Sequence, residues 1–297
     1  MTGIAIILNP TKVDDEAELI DDVRRRCREA GEPDPLVLRT TTEDPGAGLI
    51  ARGLEQGVEL FVVCGGDGTV ASCASGLAGT ADPHAVAMAI VPYGTGNLLA
   101  RNLDLPLDRE AALDIAFSGA RKLLDVLATP DDRFVVMAGL GFDATMMRET
   151  KQTAKERFGW PAYLGGLTRA LRRTPRARFT IDVAGSQTVR FTGIGVLVGN
   201  VGTVQGGVAV MPDADPSDGR LDVMLLAPRK PSDWGVLVLN LFRGHPASGR
   251  QAALLSGTSV RIVVDQAVPY ELDGELAGEL SELTVEVLPS ALSVCVA

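Results

Sequence analysis

Two glycine-rich segments hold the groups in this 297-residue chain best suited to chemistry. Phe61-Val62-Val63-Cys64-Gly65-Gly66-Asp67-Gly68-Thr69 leads an apolar strand into three glycines, a carboxylate and a hydroxyl before a helical pattern begins. Val91-Pro92-Tyr93-Gly94-Thr95-Gly96-Asn97 repeats the arrangement at the end of another apolar run. Glycine lets the backbone approach phosphate oxygens closely, and the exposed amides where a helix starts attract an anion. Asp67 would repel phosphate unless it held a proton or a cation. A carboxylate inside an anion cradle therefore suits either the organisation of Mg2+ or acceptance of a hydroxyl proton during phosphoryl transfer. A tight turn with a solvent-facing aspartate is the plainer alternative.

Asn9-Pro10-Thr11-Lys12 follows the first apolar run and adds a third polar loop, with Lys12 as a counter-charge for phosphate. A simple strand-to-helix turn would need the same residues. The pattern GxxxxGK[ST] is absent, and no GxGxxG follows the first strand, so the usual P-loop and dinucleotide readings fail.

The elements that must position these loops follow from periodicity. Strands are expected at Gly3 to Asn9, Pro35 to Arg39, Leu60 to Cys64 and Ala85 to Val91. Between them lie helical patterns from Asp14 to Gly31, from Gly46 to Gln56 and after Thr69. Alternation of this kind predicts an α/β domain with a mostly parallel sheet, which puts all three loops at the carboxyl edge, where ligands of such sheets bind. From about Arg121 strands dominate: Phe179 to Val183, Val189 to Val198, Leu221 to Leu226, Val260 to Val264 and Leu283 to Leu288, with helical stretches near Trp160 to Arg173 and Ser232 to Arg243. The reading is two domains, 1–128 and 129–297, divided at the turn formers Ala128 to Asp132, with the final strand free to pack back on the first domain.

Composition narrows the function. A chain with 46% apolar and 22% charged residues can build a sizeable core, and a net charge of −10 argues against a nucleic-acid partner. No apolar run approaches the roughly 20 residues that span a bilayer, and the first residues lack the basic flank of a signal peptide, so a cytoplasmic protein is expected. Cys27, Cys64, Cys73 and Cys295 show no CxxC spacing and read as buried, reduced thiols. His84 and His245 sit in loop-like contexts beside prolines and offer little to a histidine-based scheme.

Five segments in order resemble the diacylglycerol kinase-type lipid kinases, a family that includes sphingosine and ceramide kinases. They are Asn9-Pro10; Gly65 to Thr69; Pro92 to Asn97 followed by Leu98-Leu99-Ala100-Arg101; Gly139-Leu140-Gly141-Phe142-Asp143-Ala144; and Leu272-Asp273-Gly274-Glu275. The resemblance covers nearly the whole chain. It implies an amino-terminal α/β domain, a β-rich second domain and an active site in the cleft between them. It also implies nucleotide contacts at Asn9, Thr41, Gly65 to Thr69 and Thr95, a proton acceptor at Glu275, and an acidic centre completed by Asp67 and Asp273. A regulatory Mg2+ site would fall on Asp215, Asp218 and Arg220, the outer two through backbone oxygens. Unaided, Asp213 to Gly219 reads as a turn rich in oxygen ligands, which solvated loop carboxylates would explain equally well.

The activity implied is Mg2+- and ATP-dependent phosphorylation of a diacylglycerol-like lipid alcohol, with a homodimer left open. Leu98 stands where bacterial diacylglycerol kinases usually carry aspartate, which moves the loop toward the sphingosine and ceramide kinases. An NAD kinase shares the glycine-aspartate loop, and a non-catalytic nucleotide or lipid sensor is the rival from another class. A lipid substrate requires membrane contact. The stretch Lys151 to Arg178 gathers eight basic residues against one acid, with Trp160, Tyr163, Leu164, Leu167 and Leu171 at helical spacing, and reads as the element that meets an anionic surface.

Overall fold

The computed structural model describes residues 3–79, 82–142, 174–186, 188–204, 208–228, 233 and 252–297. The helical stretches expected near Trp160 to Arg173 and Ser232 to Arg243, with Asp143 and Ala144, lie outside the described residues, as does most of the basic segment from Lys151. Of its basic residues, Arg176 and Arg178 are described: Arg178 pairs with Asp265 at 3.5 Å, and the Arg176 guanidinium donates to the carbonyls of Pro228 and Thr192. Those bonds hold it against the β-rich part of the chain. No helix among the described residues is long and apolar enough to cross a bilayer.

In the first part of the chain the elements are β1 (Gly3–Leu8), α1 (Glu16–Glu29), β2 (Leu36–Arg39), α2 (Ala47–Glu55), β3 (Val58–Gly65), α3 (Asp67–Leu77), β4 (Ala87–Pro92), α4 (Leu98–Asn102) and α5 (Arg109–Ser118). The strands are parallel in the order β4-β3-β1-β2, so the chain reverses its direction of travel across the sheet between β1 and β3. That reversal opens the crevice where the ends of β1 and β3 meet.

Alternation along each strand covers both faces. Ile4, Ile6, Leu8, Val62 and Cys64 pack with α1 and α5. Ala5, Ile7, Phe61, Val63 and Ile90 pack with α2 and α3 on the other face. The sheet is therefore covered by helices on both faces. Arg26 closes the edge between α1 and α5 with ion pairs of 3.1 Å to Glu110 and 2.6 Å to Asp114. All four cysteines are free and buried.

The second part is built of strands: β5 (Ala120–Ala128), β6 (Arg133–Phe134), β7 (Met137–Gly141), β8 (Ala177–Val183), β9 (Val189–Gly193), β10 (Gly195–Gly199), β11 (Thr203–Val204), β12 (Val208–Ala209), β13 (Leu221–Leu226), β14 (Ala252–Gly257), β15 (Ser259–Leu272) and β16 (Glu275–Val296). Val189 to Val198, expected as one strand, is two. β9 pairs with β8, whereas β10 lies between β7 and β13. The change of partner occurs at Gly193, where a Cβ would come within 2.4 Å of the Leu226 carbonyl oxygen.

Phe179, Ile181, Val196, Val198, Val223, Ile262 and Val285 form the core of this part. The long strand β16 pairs with β15 and β5, and near its end Val294 lies parallel to Met88 of β4. One hydrogen-bonded sheet thus runs from the parallel strands into the β-rich part, which fixes the LDGE turn relative to the glycine loops.

Candidate active site

The three polar loops meet at the carboxyl edge of the parallel strands. Asn9 follows β1, and its Nδ2 donates to the Thr69 hydroxyl at 3.3 Å. Its Oδ1 accepts from both the amide and the hydroxyl of Thr11, at 3.0 and 2.8 Å, which folds Pro10 and Thr11 into a turn with Lys12 exposed at its outer side. Thr41 is exposed after β2, and its hydroxyl accepts the Asp44 amide at 3.1 Å.

Gly65 and Gly66 form the joint between β3 and α3. A Cβ on Gly94 would stand 2.8 Å from the Gly66 Cα, so these two loops touch through backbone alone. Any larger residue at position 94 would prise them apart. Asn97 closes its own loop, accepting from the Gly94 amide at 2.9 Å and donating to the Gly94 carbonyl at 2.8 Å. Thr95 remains exposed at the tip, while Gly96 is buried against the Asp67 carboxylate.

Asp67 is the first residue of α3, and both of its oxygens are engaged. Oδ2 accepts the Asn97 amide at 2.9 Å and Oδ1 accepts the Leu98 amide. These amides open α4, whose first turn takes no capping bond from its own Asn97 side chain. The carboxylate thus keeps its charge inside the anion cradle because two amides at a helix start stabilise it. Asp67 ties one glycine loop to the other. Leu98, in place of an acidic residue, contributes its backbone N–H to this tie and its side chain to the core beneath.

Asp273 and Gly274 form the two-residue turn between β15 and β16, with φ values of 47° and 87°, and Leu272 pairs with Glu275 across it. Positive φ at both positions is the geometry that Asp-Gly favours in a tight hairpin. The turn aims Glu275 at the head of α3, with its Oε1 4.0 Å from where a Cβ on Gly68 would sit. Residues far apart in sequence thereby share one cleft, and Glu275 remains exposed to it.

Asp273 itself points inward. Its carboxylate accepts the amides of Val135, Val136 and Met137 at 2.9, 2.8 and 3.0 Å, fixing the chain between β6 and β7. Burial pushes its carboxyl up to about 6, against those three donors and with a smaller push from the charge of Asp67. In the folded protein the proton is held to about pH 6, against 3.8 for an unperturbed aspartate. Its stabilising contribution is full below about pH 4 and is lost as pH rises through about 6. Asp273→Asn is expected to remove this part of the stability profile, on the order of 2–3 kcal/mol for a shift of this size, while opposing an amide N–H to one backbone donor. Urea unfolding of both proteins from pH 4 to 7 checks this, and identical slopes would show that Asp273 does not titrate in this window.

The loop of Asp215, Asp218 and Arg220 lies elsewhere, beside β5. Asp215 accepts from the Ser217 amide and hydroxyl, Asp218 accepts the Arg220 amide at 2.9 Å, and the Arg220 guanidinium is held by Ser256. Asp213, Asp218, Asp222 and Ser256 border a cavity of about 260 Å³. Burial, and then the charge of Asp218, raise the carboxyl of Asp222. A hard cation suits these oxygens. Among the described residues no three acidic, histidine or cysteine side chains converge on one metal position, so backbone oxygens would have to complete the site.

Asp125, missed in the sequence, anchors this loop. It is 1% exposed and accepts the amides of Gly219 at 2.6 Å and Ser290 at 2.8 Å. A lone carboxylate inside Leu123-Leu124-Asp125-Val126-Leu127 was the available signal. Glu271, 1% exposed, was also missed; it accepts the Gly274 amide at 2.6 Å and braces the turn.

Comparison with known proteins agrees with this fold. The model described as diacylglycerol kinase catalytic domain matches residues 3–129, and the YegS C-terminal NAD kinase beta sandwich-like domain matches residues 135–296. The probable YegS-like lipid kinase of Cronobacter sakazakii is 27% identical over 297 residues, which is 98% of this chain and 94% of the relative. The corresponding protein of Chromohalobacter salexigens is 30% identical over 255 residues, 84% of this chain and 80% of its own. A diacylglycerol kinase of Mycobacterium tuberculosis is 27% identical over 256 residues, 83% of this chain and 79% of its own.

A diacylglycerol kinase structure from Bacillus anthracis shares the fold, with TM-score 0.75 and 20% identity over 99% of this chain and 97% of that one. An NAD kinase from Archaeoglobus fulgidus in complex with ATP superposes less well, with TM-score 0.55 and 13% identity over 98% and 93% of the two chains.

Proposed function

The chain belongs to the YegS-like lipid kinases built on a diacylglycerol kinase catalytic domain, and from that premise we propose that it transfers the γ-phosphoryl group of ATP to the hydroxyl of a diacylglycerol-like lipid. The observation that carries this reading is the approach of Glu275 to the glycine loop, with its Oε1 4.0 Å from where a Cβ on Gly68 would sit. Residues 1–128 would supply the nucleotide site and residues 129–297 the lipid side.

In the proposed reaction the phosphates of ATP lie along the amides of Gly65 to Thr69 and of Gly94 to Gly96, with Asn9, Thr11, Lys12, Thr41 and Thr95 at the rim. The lipid oxygen attacks the γ-phosphorus, and the bond from phosphorus to the bridging oxygen breaks with its electron pair leaving on ADP. Glu275, exposed to the cleft, takes the hydroxyl proton. Asp67 keeps the two glycine loops in register, so that attacking and leaving oxygens stay in line. Mg2+, when bound, supplies charge screening at the transferring group; Asp67 would organise it there, and Asp215, Asp218 and Arg220 would hold a second, regulatory ion.

Incubation of the purified protein with γ-labelled ATP, Mg2+ and separate acceptors tests the reading. Label is expected in diacylglycerol or a related lipid alcohol and not in NAD. Label in NAD alone, or in no acceptor, would overturn it. The regulatory ion has its own test. Asp218→Ala is expected to lose the rise in melting temperature that millimolar Mg2+ gives the wild type, with a several-fold lower rate and unchanged ATP binding. An unchanged magnesium-dependent melting shift in the variant would remove Asp218 from the ion site.

A further inference from the structure

We propose that Asn102 is a positioning residue, which clasps the first domain to the second and thereby holds Asp67 and its loops in the reactive arrangement. This inference rests on the kinase reading above. Asn102 is the last residue of α4, and its side-chain amide uses all four of its bonding positions. Oδ1 accepts the amide and the hydroxyl of Thr203 at 3.0 and 2.7 Å. Nδ2 donates to the carbonyls of Thr203 at 3.0 Å and Leu98 at 2.9 Å. Three of the four bonds thus run to one residue of β11, in the other half of the chain. A fully satisfied amide that meets the donor, acceptor and hydroxyl of a single partner is selective for that partner.

The consequence lies at the other end of α4. The helix has only five residues, so it spans about 7 Å and moves as a unit. Its opening amides, from Asn97 and Leu98, are those that the Asp67 carboxylate grips. A rigid link therefore runs from Asp67 through α4 to Asn102 and Thr203. Beyond Thr203, the amides of Val210 and Met211 both donate to the Gly202 carbonyl, and the chain then enters the Asp213 to Asp218 loop. Displacement of Thr203 by an ångström would be delivered to the glycine loops, and a misplacement of that size costs about a hundredfold in rate.

Three variants test this, read by steady-state kinetics and by hydrogen exchange of the amides of Asn97, Leu98 and Thr203. Asn102→Ala removes all four bonds. It is expected to lower kcat about 10- to 100-fold, leave the KM for ATP within about threefold, and speed exchange at Asn97 and Leu98. Thr203→Val, which loses only the hydroxyl bond, is expected to fall between this variant and the wild type, and Thr203→Ser to restore wild-type behaviour. If Asn102→Ala does not fold, Thr203→Val against Thr203→Ser carries the comparison. Faster exchange at Thr203 with unchanged kcat would overturn the proposal, as would a lower kcat with unchanged exchange at Asn97 and Leu98. Failure of the wild type to phosphorylate any lipid would refute the kinase reading instead, and exchange at Asn97 and Leu98 in Asn102→Ala would still decide the clasp.

Discussion

Asp67→Asn is expected to lower turnover by about a hundred- to a thousandfold. The substitution preserves volume, but the structure makes its cost specific. The carboxylate accepts two backbone amides, from Asn97 and Leu98. An asparagine can accept one of them and must turn an N–H toward the other. Losing a charge-assisted bond and creating that opposition should cost about 2 kcal/mol of stability, which a folded domain tolerates. The larger loss is chemical: the loops at Gly66 and Gly94 lose their shared anchor, and the negative centre proposed to organise Mg2+ disappears. Rates in well-folded variant, with circular dichroism and melting as controls, check this. A near-native rate would remove Asp67 from the mechanism.

Glu275→Gln is expected to have a comparable kinetic effect for a different reason. Glu275 is exposed in the cleft and begins β16 just after the Asp-Gly turn. Glutamine keeps the size of the side chain and removes only its charge, so ATP binding should remain intact. A lost general base costs about a hundred- to ten-thousandfold in kcat. The two variants are distinguishable: Asp67→Asn should speed hydrogen exchange at the amides of Asn97 and Leu98, which its carboxylate holds, whereas Glu275→Gln should leave that exchange unchanged. If Glu275→Gln retained most of its turnover, the proton would have another acceptor.

Much of the first domain was legible because its signals are local. Alternating apolar runs, the Asp14-Asp15 start and the Gly31 stop bound α1 within two residues, and β2 and β3 fell close to their expected limits. Helix α4 was not legible, because its first amides are capped by Asp67 from a different loop. Helix α5 was missed despite local signs: Asp108 caps the Ala111 amide at 3.0 Å, and Ala112, Leu113 and Ala116 form its buried stripe. At the site, residue types announced the glycine loops, and Asp273-Gly274 announced a hairpin. That Asp273 would face inward to three amides, while Glu275 faced the cleft, depends on the register of β15 against β16. Only the folded sheet decides that register.

If one cleft couples cleavage of ATP to phosphorylation of a lipid alcohol, the two products arise together. The most direct test is to measure ADP and phosphorylated lipid together in a reaction of purified protein with ATP, Mg2+ and dispersed diacylglycerol, with Glu275→Gln beside it. Equal amounts of ADP and lipid phosphate are expected in the wild type, and both at least about a hundredfold lower in the variant. ADP released without lipid phosphate, or lipid phosphate formed equally well by Glu275→Gln, would contradict this expectation.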